Sequence, residues 1–292
     1  MSVVNSAYHR AVETVIKAAV SRLDDQELDL AALAAEAGYS PFHFHRLFAA
    51  LTGETPVAMV RRLRLERAAA ALVKSKQSIG EVALDAGYST PDAFSRAFRS
   101  ALGVLPSEFR RRRYEPRIQC PTQVHFDQPS VVNFLVYGAT HMQTALENRP
   151  PLHVIGMPHK GAYWTIGRTF GALAVWAEGA GQVYQGAVAV YYDDPDKVPE
   201  ADLRSDALLV VKDPATAPEG MVAYTIPAGR YLVATHMGSY EGLGVAWSSL
   251  FGEELPKSGA TLREGYCYEF YVNDCNQVPI EEVKTELLVP VA

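Results

Sequence analysis

Only three cysteines occur in the 292-residue sequence, Cys120, Cys267 and Cys275, and their spacing matches no metal-binding motif. An odd number of cysteines without such spacing argues against both a disulfide framework and a zinc site. The sequence also lacks an apolar run of the ~20 residues that a membrane helix needs, and its N-terminus lacks a signal-peptide pattern. These absences predict a cytoplasmic protein that contacts no membrane and holds no metal and no cofactor.

Positive charge is also scarce over the whole chain, where 27 Lys and Arg residues stand against 33 Asp and Glu residues. Residues 1–117, however, contain 17 basic and 13 acidic residues, which leaves 10 basic and 20 acidic residues for 118–292. A basic first part and an acidic second part suggest two domains with different partners, and the length allows two domains. Charge alone is weak evidence for nucleic-acid binding, because surface charge drifts freely between domains.

One stretch of sequence occurs twice, at 38–53 and again at 87–103. In each copy a hydroxyl residue precedes a proline, as Ser40-Pro41 and Thr90-Pro91, which is typical of an N-cap followed by the first helical turn. Each copy ends at a glycine, which is a common C-cap. Apolar residues at i, i+3, i+4 and i+7 predict one buried stripe on each helix, formed by Phe44, Leu47, Phe48 and Leu51 in the first copy and by Phe94, Ala97, Phe98 and Ala101 in the second.

A short helix is predicted before each copy, so that each copy is the second helix of a helix-turn-helix unit. Asp29 is a good N-cap for the first short helix, and Ser78 with Glu81 forms a capping-box pattern at the second. Between the units, Thr55-Pro56 begins a longer helix of about 19 residues. At ~1.5 Å per residue it spans roughly 28 Å, near the ~34 Å between successive major-groove faces of B-DNA. The first domain is therefore predicted to be an all-α double helix-turn-helix joined by a linker helix.

The two units start their turns with Gly-Tyr-Ser, lie 49 residues apart, and are followed at 103–110 by Gly-Val-Leu-Pro-Ser-Glu-Phe-Arg. In these features they resemble the DNA-binding domain of AraC/XylS transcription regulators over roughly residues 6–113. The resemblance implies binding to double-stranded DNA. A plain helical bundle is the alternative, but a bundle does not need an exposed arginine at the matching position of both copies, Arg46 and Arg96.

The resemblance also implies which side chains contact DNA. The family's base contacts match positions near the start of each recognition helix, which are Phe42, His45 and Arg46 in the first copy and Asp92, Ala93 and Arg96 in the second. Arginine can hold guanine O6 and N7, aspartate can accept from cytosine N4, and an apolar group can touch the thymine methyl. Because the two helices differ at these positions, we expect a monomer on an asymmetric site.

Phosphate contacts are predicted for a set of arginines near the ends of the double unit, although a solvated charged face is the usual meaning of such runs. The set consists of Arg61, Arg62, Arg64, Arg110, Arg111 and Arg112. His43 and His45 diverge on their helix, so they are expected to be surface histidines and not a metal site.

Composition also divides the chain, with residues 1–115 as the DNA-binding domain, the proline-interrupted 116–138 as a linker, and 139–292 as a second domain. In the second domain a strand-helix-strand-strand pattern occurs twice, and 188–194 parallels 268–274 at an offset of 80 residues. Two such modules predict an α+β domain with pseudo-twofold symmetry and a cleft along its axis.

The modules differ at one position with a chemical consequence. Where the first module has Ala189, the second has Glu269, in a strand rich in aromatic residues. A carboxylate buried there would cost several kcal/mol unless it were protonated, hydrogen-bonded or matched by a cation. Alternation along the strand leaves a second outcome open, in which Glu269 simply faces solvent.

Three segments of this domain, at 240–244 (Tyr-Glu-Gly-Leu-Gly), 269–271 (Glu-Phe-Tyr) and 286–290 (Glu-Leu-Leu-Val-Pro), resemble the GyrI-like (gyrase-inhibitor-like) effector domain of Rob-type regulators. The resemblance covers roughly residues 139–292. It implies that Glu269 lies in a cleft and receives a lipophilic, often cationic small molecule. The predicted ligand-binding residues are Glu269, Tyr271, Trp164, Trp247 and Tyr163, although tryptophans at helical spacing are more often core residues.

The whole pattern predicts a ligand-responsive transcription regulator, with RNA polymerase as a further candidate partner. Two alternatives for the second domain stay open. It could hydrolyse or sequester small molecules, with Glu269 and Tyr271 acting on a water as base and acid, or it could act on another protein. Against catalysis, the sequence offers no nucleophile–base motif, metal cluster or phosphate loop, so no catalytic residue is predicted.

Overall fold

The computed structural model describes residues 7–114, 117–129, 132–135, 142–193, 198–275 and 277–292. The chain divides into two compact units, Met1–Val136 and Tyr137–Ala292. Within the described residues, no helix is both long enough and apolar enough to cross a membrane.

The described part of the first unit is helical throughout its regular elements. Its helices are α1 (Ala7–Ser21), α2 (Leu30–Ala37), α3 (Pro41–Thr52), α4 (Pro56–Lys74), α5 (Ile79–Asp85), α6 (Pro91–Leu102) and α7 (Pro106–Arg112). Helices α2 and α3 form the first helix-turn-helix unit, α5 and α6 form the second, and α4 joins them. The predicted double helix-turn-helix is confirmed.

Local sequence signals set the ends of these helices. Ser40 and Thr90 cap α3 and α6 through their side chains, each followed by a proline in the first turn. Both helices end at a glycine with positive φ, 76° at Gly53 and 79° at Gly103, a conformation that residues with a Cβ rarely adopt. The predicted capping box of Ser78 and Glu81 is present at α5.

Each helix-turn-helix unit has an aromatic core. Phe44 and Phe48 pack at a ring distance of 5.6 Å in the first unit, and Phe94 and Phe98 at 5.3 Å in the second. Phe109 of α7 closes the second core at 5.3 Å from Phe98. These rings anchor α3 and α6 to their own units, and outside this stripe α6 has no other buried residue.

The segment predicted to be a linker, 116–138, lies in part outside the described residues. Its described residues pack on the first unit: the Ile118 N–H donates to Glu66 of α4 at 2.9 Å, and the Leu135 N–H donates to the Leu51 carbonyl at 2.8 Å. Residues 132–135 form no strand.

The second unit is built on one antiparallel sheet. Its strands are β1 (Gln143–Arg149), β2 (Leu152–Lys160), β3 (Gly186–Tyr191), β4 (Arg204–Val211), β5 (Val222–Ile226), β6 (Gly229–Met237), β7 (Tyr268–Tyr271) and β8 (Lys284–Pro290). They lie in the order β1-β6-β8-β7-β3-β4-β2-β5. Helix α8 (Ile166–Ala180) follows β2, and α9 (Leu243–Ser249) follows β6 and continues through a π-helical turn, Leu250–Glu254, into α10 (Leu255–Ser258).

The predicted pseudo-twofold symmetry is confirmed by the pairing of the central strands. Strands β3 and β7 pair with Ala189 opposite Glu269, so the symmetry axis passes between these two residues. The domain also contains two strands beyond the predicted modules, β1 and β5. Strand β1 precedes the first module but pairs with β6 of the second, and β5 precedes the second module but pairs with β2 of the first. This exchange ties the two modules into one sheet.

The two faces of this sheet differ in their neighbours. On one face, Ala189, Ala207 and Leu209 form a core cluster with residues of α8, among them Leu173. We call this the helix face. The opposite face carries a second cluster with Val188, Val190 and Leu208, together with several tyrosines. Because side chains alternate along a strand, adjacent residues of β3 belong to different clusters.

Candidate DNA-binding helices and ligand cleft

Helix α6 presents its predicted base-contacting residues to the outside. Asp92 and Arg96 are exposed and Ala93 is half-buried, while Phe94 and Phe98 face the core. The three predicted positions therefore lie on the accessible side of one helix. An arginine and an aspartate side by side can distinguish base pairs through donors and acceptors in the major groove.

Helix α3 differs from α6 on its outer face. Phe42 and Arg46 are half-buried, and the Arg46 guanidinium lies 5.1 Å from the centre of the Phe42 ring. His45 is only 6% exposed and His43 only 3%, so the expectation of two surface histidines is wrong. The structure also does not support a base contact by His45, because the side chain is buried. The buried stripe of α3 is wider than the i, i+3, i+4, i+7 pattern predicts and includes His45.

Arg62 corrects the predicted set of phosphate contacts. Its side chain is 9% exposed and forms ion pairs with Glu54 at 2.6 Å and Glu66 at 3.4 Å. The guanidinium also donates to the Val124 carbonyl at 2.9 Å. A buried arginine whose donors are taken by two carboxylates and a carbonyl is a structural residue and cannot reach a phosphate.

The other predicted phosphate contacts fall into two groups. Arg64 donates to the Leu23 and Asp25 carbonyls, and Arg110 donates to the Leu72 and Gln77 carbonyls, so both guanidinium groups stabilise loops of their own unit. Arg61, Arg111 and Arg112 are exposed, the last with an ion pair to Glu108 at 3.2 Å. Only this second group keeps its charge accessible for DNA.

In the second unit, the Glu269 carboxylate is the centre of a buried hydrogen-bonded cluster. Glu269 is 3% exposed and accepts one hydrogen bond from each of three aromatic side chains, all at 2.8 Å. The donors are the hydroxyls of Tyr191 and Tyr271, on Oε2, and the indole N–H of Trp247, on Oε1. We call these four residues the Glu269 cluster. The structure thus decides against a solvent-facing Glu269.

Further aromatic rings surround this cluster. Tyr163 packs edge-on against Tyr191 at 4.8 Å, and Phe170 and Tyr240 pack against Tyr271, each at 5.4 Å. Tyr163 lies on a 3₁₀ turn before α8 and Phe170 lies on α8 of the first module, and Tyr240 lies on the equivalent turn before α9 of the second. Both modules therefore contribute walls around one carboxylate on the symmetry axis.

Burial is the main influence on the charge state of the cluster, and no cation neutralises Glu269 among the described residues. Desolvation, and then the negative charge of Glu269, raises the pKa of the Tyr271 hydroxyl well above its ordinary value. The hydroxyl therefore stays protonated and remains a donor. Among the described residues, the partners of Glu269 are these three neutral donors, and no Lys, Arg or His forms an ion pair with it. No three described His, Cys, Asp or Glu side chains group as a metal site would require.

Comparison with known families identifies both units. A family model described as a GyrI-like small molecule binding domain matches residues 142–292, just over half of the 292-residue chain. The chain belongs to the GyrI-like family. A helix-turn-helix domain model matches residues 33–112. The protein is a DNA-binding transcription regulator with an AraC-type helix-turn-helix domain followed by a GyrI-like small-molecule-binding domain.

Individual relatives match one domain each. A DNA gyrase inhibitor of Serratia proteamaculans is 33% identical over 140 residues, which is 46% of this chain and 89% of the relative. Regulatory protein SoxS of Salmonella typhimurium is 31% identical over 106 residues, which is 36% of this chain and 98% of the relative. Among solved structures, the EcmrR C-terminal domain superposes with a TM-score of 0.43 at 20% identity, covering 52% of this chain and 98% of that domain.

The GyrI-like domain brings together most of the predicted ligand-binding residues. Glu269, Tyr271 and Trp247 belong to the cluster, and Tyr163 lies one ring away. Trp164 does not join them, because the residue is 81% exposed and its indole N–H donates to Glu200 at 3.1 Å. Tyr163 and Trp164 are adjacent on a 3₁₀ turn, so their side chains point in different directions, which residue spacing alone does not reveal.

Sequence reasoning missed Tyr191, which donates directly to Glu269. A signal for it was present, because the offset of 80 residues that pairs Ala189 with Glu269 also pairs Tyr191 with Tyr271. On the symmetry axis, equivalent residues of the two modules converge, so Tyr191 and Tyr271 reach the same carboxylate oxygen.

Proposed function

We propose that this regulator binds an asymmetric DNA site as a monomer and responds to a lipophilic organic cation that binds over Glu269. The observation that carries the proposal is a carboxylate only 3% exposed, surrounded by neutral donors and aromatic rings. Its position between the two modules of a domain whose family is described as small-molecule binding supports the proposal.

The physical case for a cation rests on charge balance. Three hydrogen bonds from neutral groups offset part of the several kcal/mol that burying a carboxylate costs, but they leave its negative charge in place. A cation close to that charge in a poorly solvated cleft is attracted more strongly than at the surface. The faces of Tyr191, Tyr271 and Trp247 add cation–π attraction, so the ligand should combine positive charge with apolar bulk.

A ligand experiment tests this with tetraphenylphosphonium as the probe. Isothermal titration calorimetry on the full chain should give binding to the wild type and at least tenfold weaker binding to Glu269→Gln, which keeps the shape of the side chain. Glu241→Gln, an exposed carboxylate on the Tyr240–Gly242 turn, is the matched control and should bind as the wild type does. Equal affinity in wild type and Glu269→Gln would overturn the proposal.

For DNA, we propose that α6 supplies base contacts through Asp92, Ala93 and Arg96, and that α3 supplies them through Phe42 and Arg46. The exposure of Asp92 and Arg96 supports a leading role for α6. Arg61, Arg111 and Arg112 would hold phosphates. The two helices carry different side chains at matching positions, so a single chain would recognise two unlike half-sites.

Selection from a random DNA library tests the asymmetric site. The enriched sequences should contain two different half-sites about one helical turn apart, ~34 Å. Sedimentation with a selected duplex should give one protein per duplex. A palindromic consensus bound by two chains would contradict a monomer on an asymmetric site.

We propose that the cleft binds its ligand and does not transform it. Glu269 accepts hydrogen bonds from three side chains of its own domain, which leaves little capacity for activating a water. Incubation of the full chain with candidate ligands should therefore give no product by mass spectrometry. A product that forms with wild type and disappears with Glu269→Gln would establish a hydrolase instead.

The remaining partners follow from DNA binding. A regulator of this kind would act in the cytoplasm, where chromosomal DNA lies, by changing the occupancy of a promoter by RNA polymerase. Transcription in vitro from a selected site, with and without tetraphenylphosphonium, should show a ligand-dependent change in transcript. Inhibition of gyrase supercoiling by the full chain would favour the alternative in which the second domain acts on a protein.

A further inference from the structure

A second carboxylate of the GyrI-like domain is surrounded by tyrosines. Asp206 of β4 is 5% exposed, and its Oδ2 accepts hydrogen bonds from the hydroxyls of Tyr192 at 2.6 Å and Tyr224 at 3.1 Å. The ring of Tyr266 lies 6.3 Å from that of Tyr192 and 5.6 Å from that of Tyr224. We call these four residues the Asp206 cluster.

The Asp206 cluster lies on the face of the sheet opposite the Glu269 cluster. Asp206 is paired with Val190 in the register of β3 and β4, and paired residues of antiparallel strands point to the same side. Val190 belongs to the core cluster of the opposite face, together with Tyr192 and Tyr224. Glu269 is paired with Ala189, which belongs to the helix face. A ligand at one cluster therefore cannot contact the other.

The pseudo-twofold symmetry shows what Asp206 lacks. The symmetry that relates Ala189 to Glu269 also relates Asp206 to Glu286. Asp206 of β4 is paired with Val190 of β3, and Glu286 of β8 is paired with Phe270, the equivalent residue of β7. Glu286 has a cation of its own, because Arg149 of β1 forms an ion pair with it at 2.9 Å.

The equivalent of Arg149 in the first module is Ile226 of β5. Arg149 of β1 is paired with Gly229, the first residue of β6, and Ile226 of β5 is paired with Leu152, the first residue of the equivalent strand β2. An isoleucine cannot neutralise a carboxylate. Arg204, two residues from Asp206, is engaged with Asp193 at 2.7 Å, and Lys160, which is paired with Arg204 across β2 and β4, is engaged with Asp202 at 2.8 Å. No ion pair to Asp206 occurs in the described part of the chain.

The tyrosines of the cluster are suited to a cation. Burial is the largest cause that raises the pKa of the Tyr192 and Tyr224 hydroxyls. The hydrogen bond to Asp206 raises the pKa of Tyr192 further, and the hydrogen bond to Tyr192 raises that of Tyr224, so both hydroxyls remain neutral donors. All three rings are only half-buried, which leaves part of each accessible. A carboxylate beside several tyrosine rings is the arrangement that recognises alkylated ammonium groups.

We propose that the Asp206 cluster is a second ligand site of this domain, which binds a small alkylammonium group in place of the arginine that neutralises Glu286. The site goes beyond the proposed function, because it shares no residue with the Glu269 cluster. The rings pack directly against one another, with centroids 5.6 to 6.3 Å apart, so no ligand fits between them and the ammonium group binds on their accessible faces beside Asp206.

The test uses tetramethylammonium chloride and the full chain, with sodium chloride at the same ionic strength as the reference. Saturation-transfer NMR of the methyl protons should give binding to wild type and at least tenfold weaker binding to Asp206→Asn. Glu286→Gln, at the symmetry-related position, should bind as the wild type does, and so should Glu269→Gln.

Three results would overturn the proposal: no binding of tetramethylammonium by the wild type, equal binding by Asp206→Asn, or loss of binding in Glu269→Gln, which would assign the cation to the cleft. Tyr266→Leu covers the case in which Asp206→Asn does not fold. Tyr266 contributes a ring but donates no hydrogen bond to Asp206 among the described contacts, so the variant should fold and bind several-fold more weakly. Unchanged binding in a folded Tyr266→Leu would also contradict the site.

Discussion

Nδ1 of His125 lies 2.9 Å from the carboxylate of Glu66, and Glu66 is completely inaccessible to solvent. The same carboxylate accepts from the Ile118 N–H at 2.9 Å and pairs with Arg62 at 3.4 Å. Glu66 belongs to α4, which joins the two helix-turn-helix units, and residues 118–126 follow the DNA-binding domain. One buried carboxylate thus holds the chain that leaves this domain against its central helix.

Replacing Glu66 by Gln should reduce the free energy of unfolding of the first unit by about 3 kcal/mol, because it removes one partner of a buried ion pair. Urea unfolding followed by circular dichroism measures the change. The control is Glu36→Gln on the exposed side of α2, which should change stability by less than about 0.5 kcal/mol. A loss in Glu66→Gln no larger than in the control would show that the contacts of Glu66 are not needed.

Replacing Arg96 by Ala should weaken binding to the selected DNA site by about 1–3 kcal/mol and relax specificity at one base pair. The reason is that Arg96 is exposed on α6, where a guanidinium can hold a guanine edge. Competition binding with single-base variants of the site measures both effects. Arg111→Ala is the comparison and should weaken binding to all sequences alike, as loss of a phosphate contact does. If Arg96→Ala behaved in the same way, Arg96 would be a phosphate contact.

Replacing Trp247 by Phe should destabilise the GyrI-like domain by about 1–3 kcal/mol, since Glu269 then loses the donor on Oε1 while remaining buried. An aromatic ring is kept at this position, next to Phe251. Thermal unfolding of the full chain measures the change. Trp164→Phe, at an 81% exposed position, should leave the unfolding temperature unchanged, and equal effects of the two variants would argue against a structural role of the indole hydrogen bond.

The stability of the first unit should decrease as the pH falls below about 6.5 because of His9. Burial lowers the pKa of His9, with Glu13 opposing, so the unfolded chain takes up a proton at a higher pH than the folded one. The loss of unfolding free energy begins as the pH falls through 6.5, the pKa of His9 in the unfolded chain, and levels off below the pKa of His9 in the folded protein. Urea unfolding between pH 8 and pH 5 should give a smaller decrease for His9→Gln than for wild type. Parallel pH profiles would contradict this assignment.

Much of the helical domain followed from local sequence signals. Ser40-Pro41, Thr90-Pro91 and the capping box of Ser78 and Glu81 act within one or two turns, so they determine helix ends without reference to the rest of the fold. The accessibility of individual side chains did not follow in this way. Arg62 and His45 occupy helix positions that spacing assigns to a polar face, but contacts from distant segments bury Arg62, and a wider apolar stripe buries His45.

In the second domain, the duplication and the equivalence of Ala189 and Glu269 were readable from the offset of 80 residues alone. The fold was needed to show that Glu269 lies on the helix face and that Tyr191 of β3 and Trp247 of α9 donate to it. The exchange of β1 and β5 between modules was also decided there. The physical reason is that repeats and caps act through residues near in sequence, whereas burial and hydrogen-bond partners depend on which distant segments the fold brings together.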